Sequence, residues 1–268
     1  MITGSRRRRR ARTVFETVSG ESGRVRVIED HRERRLIVRG ETLSIYPLNG
    51  DWTALRREYW WRALVGLRLP PRPSVLFVGL GGGTQVHLLE RFARPRAVSI
   101  IERDAVILNV ALDWFGLRGL RGLEFLCTDA NRAVPALAAA RRRFDFVMED
   151  ATYGETFEAS LPLVNGLVPL VTSRGTLVLN RHRRGDADAI ADHLRPLFLG
   201  VQMRRVRREG ENVLITARYP INAEPSDRAS QRRGERSVES TLETATAAAE
   251  HSGGAAAATP PNALPPAE

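Results

Sequence analysis

The sequence predicts an α/β protein with a doubly wound, mostly parallel seven-stranded sheet, preceded by a small antiparallel β subdomain. Three observations support this prediction. Strand-like apolar runs alternate with helix-like segments over residues 75–197, which is typical of parallel strands joined by crossover helices. Two further strand-like runs, at residues 201–206 and 213–217, flank a charged turn with Gly210, as expected of a closing antiparallel hairpin. Ahead of these elements, residues 24–46 form short alternating segments separated by turns.

Composition divides the 268 residues into four parts. Residues 1–13 carry five consecutive arginines at positions 6–10 and are predicted to form a disordered basic arm. Residues 14–70 would form the small sheet and a helix at 54–67, and residues 71–220 would form the α/β domain. Residues 221–268 lose almost all large apolar side chains. This last segment is predicted to be a disordered tail, because it cannot bury enough surface to offset its ordering entropy.

Each element of the α/β domain follows from its periodicity. Short apolar runs bounded by Gly, Pro, Asp or Asn predict buried strands, and longer segments with apolar residues three or four apart predict helices. The predicted strands are residues 75–78, 97–101, 123–127, 144–148 and 176–179, and the predicted helices are residues 85–92, 105–114, 133–140, 161–170 and 187–197.

Composition also excludes several classes of protein. No segment reaches the roughly 18 apolar residues of a spanning helix, and no apolar stretch of signal-peptide length follows the arginines. The single cysteine, Cys127, excludes an internal disulfide and a multi-cysteine metal site, and its apolar surroundings predict a core residue. We therefore expect a soluble cytoplasmic protein without a metal.

The net charge of +10 comes from arginine alone. We interpret the basic arm as a solvated segment, and the alternative is contact with nucleic acid or an acidic membrane.

A glycine-rich turn follows the first predicted strand, in V-L-F-V-G-L-G-G-G-T at residues 75–84. Gly79, Gly81, Gly82 and Gly83 leave no side chain between backbone and ligand, and the next helix offers unpaired N–H groups to an anion. Glu102 ends the neighbouring strand, where a carboxylate can accept hydrogen bonds from two ribose hydroxyls. Together they predict a nucleoside site. The alternatives are a tight strand-to-helix corner and an ordinary surface acid.

Further carboxylates close the later strands. Asp129, followed by Ala130, would border the nucleoside base unless it only caps the next helix, and Asp104 is expected to cap the helix from residue 105. Glu149 and Asp150 end the fourth strand. The carboxyl ends of parallel strands meet at one edge of the sheet, so we expect Asp150 to face the glycine turn and to accept a proton from an incoming nucleophile. Glu149 is expected to support the fold.

The segments R-R-E-Y-W-W, V-L-F-V-G-L-G-G-G-T, S-I-I-E-R-D, C-T-D-A and D-F-V-M-E-D-A-T-Y, with the small N-terminal sheet, resemble the spermidine synthase family over residues 24–219. These polyamine aminopropyltransferases have the class I S-adenosylmethionine-dependent methyltransferase fold. The resemblance implies S-adenosylmethionine or its decarboxylated form as donor, and a homodimer. It also implies that Glu102 holds ribose, Asp129 and Ala130 border adenine, and Asp150 deprotonates the attacking amine.

The sequence departs from the family pattern at three places. The family's turn carries an aspartate that holds the donor's terminal amine, where this chain has Gly82. A second aspartate, which helps to hold the acceptor, corresponds to Tyr153 or Gly154, and the family's tyrosine and histidine pair corresponds to Tyr59 and Trp60. A desolvated ammonium without its counter-charge is destabilised by about a few kcal/mol. The affinity for a diamine is therefore expected to be low.

These observations predict a spermidine-synthase-like transferase that moves an alkyl group, preferentially methyl, from an S-adenosylmethionine-type donor to a small-molecule nucleophile. Asp150 would act as the base, and Tyr59 and Tyr153 would line the acceptor side of the pocket. One alternative is a polyamine aminopropyltransferase that uses decarboxylated S-adenosylmethionine. The other is a non-catalytic protein that only binds a nucleoside.

Overall fold

A computed structural model describes residues 11–152, 154–182, 186–207 and 211–221. The predicted tail from residue 222 onward and the first ten residues of the predicted arm lie outside the described residues. The described residues form two sheets, one of four strands and one of seven. The predicted fold class, a mostly parallel seven-stranded sheet with a small antiparallel β subdomain, is confirmed.

The four-stranded sheet is antiparallel throughout, with its strands in chain order: β1 (Arg12–Ser19), β2 (Gly23–Glu29), β3 (Glu33–Val38) and β4 (Glu41–Pro47). Strand β1 precedes the predicted sheet, and it includes Arg12 and Thr13, which were assigned to the arm. Half of the residues of β1 are exposed, and only Ser19 is buried. Its sequence therefore lacks the clear alternation of apolar and polar residues that identified the other strands.

The connection to the second sheet contains a short 3₁₀ turn (Trp52–Leu55) and helix α1 (Tyr59–Leu64). The prediction of one helix over residues 54–67 is therefore wrong. Glu58 is extended, with φ −80° and ψ 156°, and interrupts the helical backbone before α1. Val65 is extended as well, and Gly66 follows with a φ of 86°, so the helix ends earlier than its apolar spacing predicts.

The seven-stranded sheet has the order β10-β11-β9-β8-β5-β6-β7. Strands β5 to β9 are parallel, and β11 runs antiparallel between β9 and β10. None of the helices in the described part of the chain is long and apolar enough to cross a membrane. The strands are β5 (Ser74–Val78), β6 (Ala97–Ile101), β7 (Leu123–Leu126), β8 (Phe144–Glu149), β9 (Val171–His182), β10 (Phe198–Arg207) and β11 (Glu211–Pro220), and the remaining helices are α2 (Thr84–Ala93), α3 (Ala105–Trp114), α4 (Ala130–Ala139), α5 (Phe157–Leu167) and α6 (Ala187–Leu194).

Strand β5 is the centre of this sheet and is buried along its whole length. It pairs with β6 on one side and β8 on the other, so Val78 is in register with both Ile101 and Glu149. The strand order reverses at β5, because β6 and β7 lie on one side of it and β8 and β9 on the other. At such a switch point a crevice opens at the carboxyl ends of the strands. The loops that follow the three strands begin with Gly79, Glu102 and Asp150, respectively.

Asp104 joins the two sheets. It caps α3 as predicted, because its carboxylate accepts hydrogen bonds from the N–H groups of Val106 (2.9 Å) and Ile107 (3.4 Å). Its other oxygen accepts a hydrogen bond of 2.6 Å from the Ser19 hydroxyl at the end of β1. Phe115, which follows α3, is fully buried among side chains of the four-stranded sheet. The small sheet is therefore packed firmly beside the crevice.

Cys127 differs from its prediction. Strand β7 ends at Leu126, so Cys127 lies in the loop beyond it and is exposed instead of packed in the core. Partial desolvation, followed by the negative charges of Glu102 and Asp104, raises the pKa of its thiol. The thiol therefore stays protonated at neutral pH, which does not favour a nucleophilic role.

Candidate active site

A cavity of about 840 Å³ opens at the carboxyl ends of the central strands. Its volume is within the range of small-molecule binding sites. It collects most of the site residues predicted from sequence: Tyr59, Gly79, Gly81, Glu102, Asp129, Ala130 and Asp150. The remaining predicted substrate residue, Tyr153, lies outside the described residues.

Gly79 and Gly81 bring the backbone of the turn to the cavity. Gly79 has a φ of 90°, and a Cβ there would lie 3.2 Å from the carbonyl carbon of Asp150. A side chain would therefore be strained and would push the turn away from the loop after β8. Gly81 also has a positive φ, of 54°, and its Cβ would lie 2.9 Å from Ser44 Oγ. The glycines at these positions allow close contact between the turn, the loop after β8 and strand β4.

Gly82 and Gly83 do not line the cavity; their missing side chains would point into packed protein. A Cβ on Gly82 would lie 2.8 Å from Phe115 Cδ1 and 2.9 Å from Ser44 Cβ. A Cβ on Gly83 would lie 2.9 Å from the methyl groups of Leu117. Position 82 is where the resembling family keeps its amine-binding aspartate, and the fold leaves no room for that side chain.

We expect Gly82→Asp to destabilise the protein by about 2 kcal/mol or more, because the new side chain overpacks a buried ring and buries a charge. Urea denaturation followed by circular dichroism measures the change. Gly20→Asp is a matched control, since no atom lies within 4 Å of a Cβ at Gly20, and its stability should stay near that of the parent. If Gly82→Asp is as stable as the parent, Phe115 can move aside, and the expected overpacking at this position is wrong.

Strand β4 holds the glycine turn in place. The Gly82 N–H donates a hydrogen bond of 2.7 Å to Ser44 Oγ. The Thr84 hydroxyl donates to the Ile45 carbonyl (2.9 Å) and accepts from the Ile45 N–H (3.0 Å). Leu43 and Ile45 themselves line the cavity. The small sheet is therefore one wall of the site, a role that the sequence prediction missed because these contacts join residues about forty positions apart.

Glu102 holds the glycine turn through hydrogen bonds to the backbone. Its Oε2 accepts a hydrogen bond from the Leu80 N–H at 3.1 Å, and its Oε1 accepts one from the Asp104 N–H at 3.0 Å. Burial raises the pKa of this carboxyl, and the backbone hydrogen bonds partly offset the effect. Each oxygen of a carboxylate can accept a second hydrogen bond. Glu102 can therefore bind two vicinal hydroxyls while it holds the turn.

Asp129 caps a helix and also lines the cavity. It is the N-cap of α4 and accepts a hydrogen bond of 2.8 Å from the Asn131 N–H. It also lines the cavity beside Ala130 and Asn131. The cap fixes one carboxylate oxygen and leaves the other available to a ligand in the cavity.

Asp150 is held by two neutral donors. The Tyr59 hydroxyl donates to Oδ2 at 2.7 Å, and the Asn180 amide donates to Oδ1 at 2.6 Å. Asn212 donates in turn to Asn180 Oδ1 at 3.0 Å, which fixes the orientation of the Asn180 amide. Burial raises the pKa of Asp150 to about 6, against the effect of these hydrogen bonds. An acid with this pKa is ionised at neutral pH and still basic enough to take a proton.

The sequence prediction missed Asn180 and Asn212. Asn180 occurs at the end of the apolar run L-V-L-N in β9, and a polar residue within a buried strand was the available signal. Its contact with Asp150 joins β9 to the loop that follows β8, and these two strands pair directly in the sheet.

Glu149 lies behind the cavity and does not line it. It is fully buried, and its Oε1 accepts hydrogen bonds from the Ala151 N–H (2.8 Å), the Thr152 N–H (2.7 Å) and the Thr152 hydroxyl (3.0 Å). Its Oε2 forms an ion pair with the equally buried Arg181. Glu149 therefore shapes the loop that carries Asp150 and has no direct access to a ligand in the cavity.

The walls of the cavity are acidic, although the whole chain has a net charge of +10. Among the described residues that line it, six are carboxylic acids and two are potentially basic. Within the described ranges, no group of three or more His, Cys, Asp or Glu residues forms a candidate metal site. The charges favour a cationic occupant. The acids are Glu41, Glu58, Glu102, Asp129, Asp150 and Glu155, and the bases are Arg103 and His182.

Known proteins with this architecture include both methyltransferases and aminopropyltransferases. No protein-family model matches the chain. It is 30% identical over 157 residues to an eEF1A lysine and N-terminal methyltransferase of Danio rerio, which covers 54% of this chain and 23% of the relative. It is 28% identical over 121 residues to a polyamine aminopropyltransferase of Vibrio vulnificus, which covers 44% of this chain and 40% of the relative. The chain thus spans less than half the length of these curated relatives.

A solved spermidine synthase in complex with the transition-state analogue AdoDATO has the same fold. It superposes with a TM-score of 0.60 at 12% identity and covers 87% of this chain and 89% of that chain. The predicted resemblance is therefore confirmed at the level of fold. The chain is a protein of the class I S-adenosylmethionine-dependent methyltransferase fold, related to the spermidine synthases.

Proposed function

We propose that the protein is an alkyl transferase that binds an S-adenosylmethionine-type donor and moves its alkyl group to a small-molecule nucleophile. One observation carries this proposal: a single cavity at the switch point of the sheet brings together Glu102, Asp129 and Asp150 beside the glycine turn. Glu102 is placed to hold ribose hydroxyls, and Asp129 with Ala130 to border the base. Of these three carboxylates, Asp150 then remains to serve the acceptor.

The proposed chemistry is a displacement at a carbon bonded to sulfonium sulfur. The acceptor's lone pair forms a new bond to that carbon as the carbon–sulfur bond breaks, and the sulfonium becomes a neutral thioether. The acceptor's proton passes to the Asp150 carboxylate. Positioning of the two reactants and exclusion of water supply most of the rate in such a reaction. The acidic walls favour an amine as the nucleophile, because an amine enters as an ammonium cation; Asp150 takes a proton from it before the attack, and this frees the lone pair that forms the new bond.

Methyl transfer is the preferred form of this proposal. The family's amine-binding aspartate is replaced by Gly82, and the contacts of Phe115 and Ser44 leave no space for it. An aminopropyl donor would therefore lack the counter-charge for its terminal ammonium. The second candidate, polyamine aminopropyltransferase activity, is favoured by the six cavity carboxylates, which suit a polycationic acceptor.

Ligand binding tests the proposal. We expect S-adenosylmethionine and methylthioadenosine to raise the melting temperature of the full chain, because a ligand that binds only the folded state stabilises it. Glu102→Ala should weaken the binding of both by about 100-fold, since it removes charge-assisted hydrogen bonds to the ribose.

Glu21→Ala is the matched control, because Glu21 is exposed in a turn between β1 and β2. This variant should bind both ligands as the parent does. No thermal shift with S-adenosylmethionine, its decarboxylated form or methylthioadenosine would refute every nucleoside-based function. Binding without turnover of any amine tested would favour the non-catalytic alternative.

A further inference from the structure

The amino ends of the parallel strands lie on the side of the larger sheet opposite the cavity. Five chain segments lead into strands β5 to β8 or begin strand β9 there. Arginine makes up ten of their 23 residues, against 41 of 268 in the whole chain, and none of the 23 is Asp or Glu. The excess of arginine is therefore concentrated on this side of the sheet. The segments are residues 67–73, 94–96, 118–122, 140–143 and 172–175.

Six of these arginines are exposed and form a surface that we call the basic rim. None of the six forms an ion pair with a carboxylate among the described residues. Two carboxylates lie two residues beyond the segments, and both have other partners. Glu124 pairs with Arg142 at 2.9 Å, and Asp145 accepts hydrogen bonds from the hydroxyls of Ser74 (3.0 Å) and Thr172 (3.3 Å). The positive charge of the rim is therefore available to a partner. The six are Arg68, Arg72, Arg94, Arg121, Arg141 and Arg174.

Hydrogen bonds between neighbouring segments hold the basic rim as one row. The hydrogen bonds to Asp145 connect β9, β8 and β5. The Arg96 N–H donates to the Pro73 carbonyl at 3.0 Å, and the Val98 N–H donates to the Gly122 carbonyl at 2.8 Å, which connects β5, β6 and β7. With neighbouring strands about 4.8 Å apart, the five segments form a row about 19 Å long. A surface that is ordered in advance binds a partner at a low entropic cost.

Three arginines of the basic rim have an unfavourable backbone conformation. Arg72, Arg94 and Arg141 have φ values of 51°, 46° and 54°, respectively. Residues with a side chain rarely adopt this left-handed region, whereas glycine adopts it without strain. Such residues cluster at functional sites. Arginine at three of these positions therefore indicates a role for the side chains beyond the fold.

We propose that the basic rim binds double-stranded DNA through its phosphates, without reading the base sequence. Duplex DNA carries one negative charge per about 1.7 Å of its axis, so a row of about 19 Å faces about 11 charges. Guanidinium groups bind phosphate oxygens in a bidentate manner. The inference is independent of the proposed alkyl transfer, because the basic rim and the cavity lie at opposite ends of the strands.

The composition of the five segments disfavours other anionic partners. None of the exposed large apolar side chains in the described part of the chain lies in them. The basic rim therefore lacks an anchor for a membrane surface and the apolar centre of a protein interface. The segments contain no aromatic residue on which the bases of a single strand would stack. Their only hydroxyl side chains are Thr172 and Ser173, which offer few contacts to the 2′-hydroxyls of duplex RNA.

Fluorescence anisotropy of the full chain with two unrelated DNA duplexes of about 20 base pairs tests the inference. We expect equal affinity for the two sequences. The triple substitution Arg72→Gln, Arg94→Gln and Arg141→Gln should weaken binding by about 100-fold at about 0.15 M salt, because three phosphate contacts are lost. It should also make the slope of log K against log salt concentration less steep by about 3. The predicted basic arm is unchanged in this variant, so the loss measures the basic rim alone.

The triple substitution Arg132→Gln, Arg204→Gln and Arg205→Gln is the matched control. It removes three exposed arginines outside the basic rim and should change the affinity by less than about 3-fold, with the parental slope. The inference is overturned if the rim variant binds DNA as the parent does, or if the control variant loses as much affinity as the rim variant.

Glycine at the three rim positions separates binding from stability. A variant with Arg72→Gly, Arg94→Gly and Arg141→Gly should melt at or above the parental temperature, because glycine relieves the positive φ values. It should nevertheless bind DNA as weakly as the glutamine variant. Single-stranded DNA, duplex RNA, and vesicles of equal parts phosphatidylserine and phosphatidylcholine complete the test. Tighter binding of any of these than of duplex DNA, at the same salt concentration, would overturn the choice of partner.

Discussion

Asp150→Asn is expected to lower the rate of alkyl transfer by about 10²–10⁴-fold, the usual contribution of a positioned general base. The introduced amide can accept from Asn180 and donate to the Tyr59 oxygen, so the local hydrogen bonds of the carboxylate are largely retained. Binding of S-adenosylmethionine should be little changed, because Asp150 serves the acceptor. The loss should therefore appear in kcat and not in the affinity for the donor.

The same substitution is expected to stabilise the fold at neutral pH. Burial raises the pKa of Asp150 from an ordinary 3.8 to about 6, so between these values the folded state binds more protons than the unfolded state. Stability contributed by this group is thus fully present below about pH 4 and is lost as the pH rises through about 6. Removing the charge should add on the order of 2 kcal/mol at about pH 7.5, and nothing at about pH 3.

The catalytic activity of the parent should increase with pH, whereas its stability should decrease. The base form of Asp150 grows as the pH rises through about 6, so kcat/KM should increase over that range and then level off. Urea denaturation and initial rates across pH measure the two effects on one preparation. Asp113→Asn is the control, since Asp113 pairs with Arg118 on the surface and should alter neither. A variant that keeps the parental rate would remove Asp150 from the mechanism.

The sequence predicted the layout of the larger sheet because both of its signals are local. Buried strands appear as short apolar runs, and the glycine turn and the acids Glu102, Asp129 and Asp150 follow three of them directly. The alternation of periods fixes the parallel arrangement, and that arrangement brings the strand ends together. The prediction of Asp104 as a cap succeeded for the same reason, since a cap depends on residues two or three positions away.

The parts that the sequence prediction missed depend on contacts between distant residues. The role of Asn180 depends on the pairing of β9 with β8, and the position of Ser44 depends on how the small sheet packs against the turn. Gly82 shows the same limit. Its identity was visible in the sequence, but only the structure shows that Phe115 and Ser44 occupy the space of the missing side chain. Spacing along a chain carries no information about which surfaces will meet in this way.

Glu149→Gln is expected to lower the free energy of unfolding by about 3–5 kcal/mol, because it leaves the Arg181 guanidinium without its counter-charge in the interior. Both side chains of this ion pair are 0% exposed. Arg181 contacts Glu149 through Nη1, and its Nε and Nη2 have no hydrogen-bond partner among the described residues. The neutral amide still accepts from the loop after β8, so the substitution tests the charge and not the shape of the loop.

A double variant separates a missing charge from a missing contact. In Glu149→Gln combined with Arg181→Met neither member of the pair is charged. The double variant should be more stable than Glu149→Gln alone, because an unpaired ion is worse than a neutral pair of similar volume. Asp113→Asn breaks a pair whose side chains are 64% and 51% exposed, and it should change stability by less than about 1 kcal/mol. Denaturant unfolding of the parent, Glu149→Gln, the double variant and Asp113→Asn measures these differences in stability. If the double variant is no more stable than the single one, Glu149 acts through its hydrogen bonds to Ala151 and Thr152, and the position of Asp150 then depends on that loop more than on the buried charge pair.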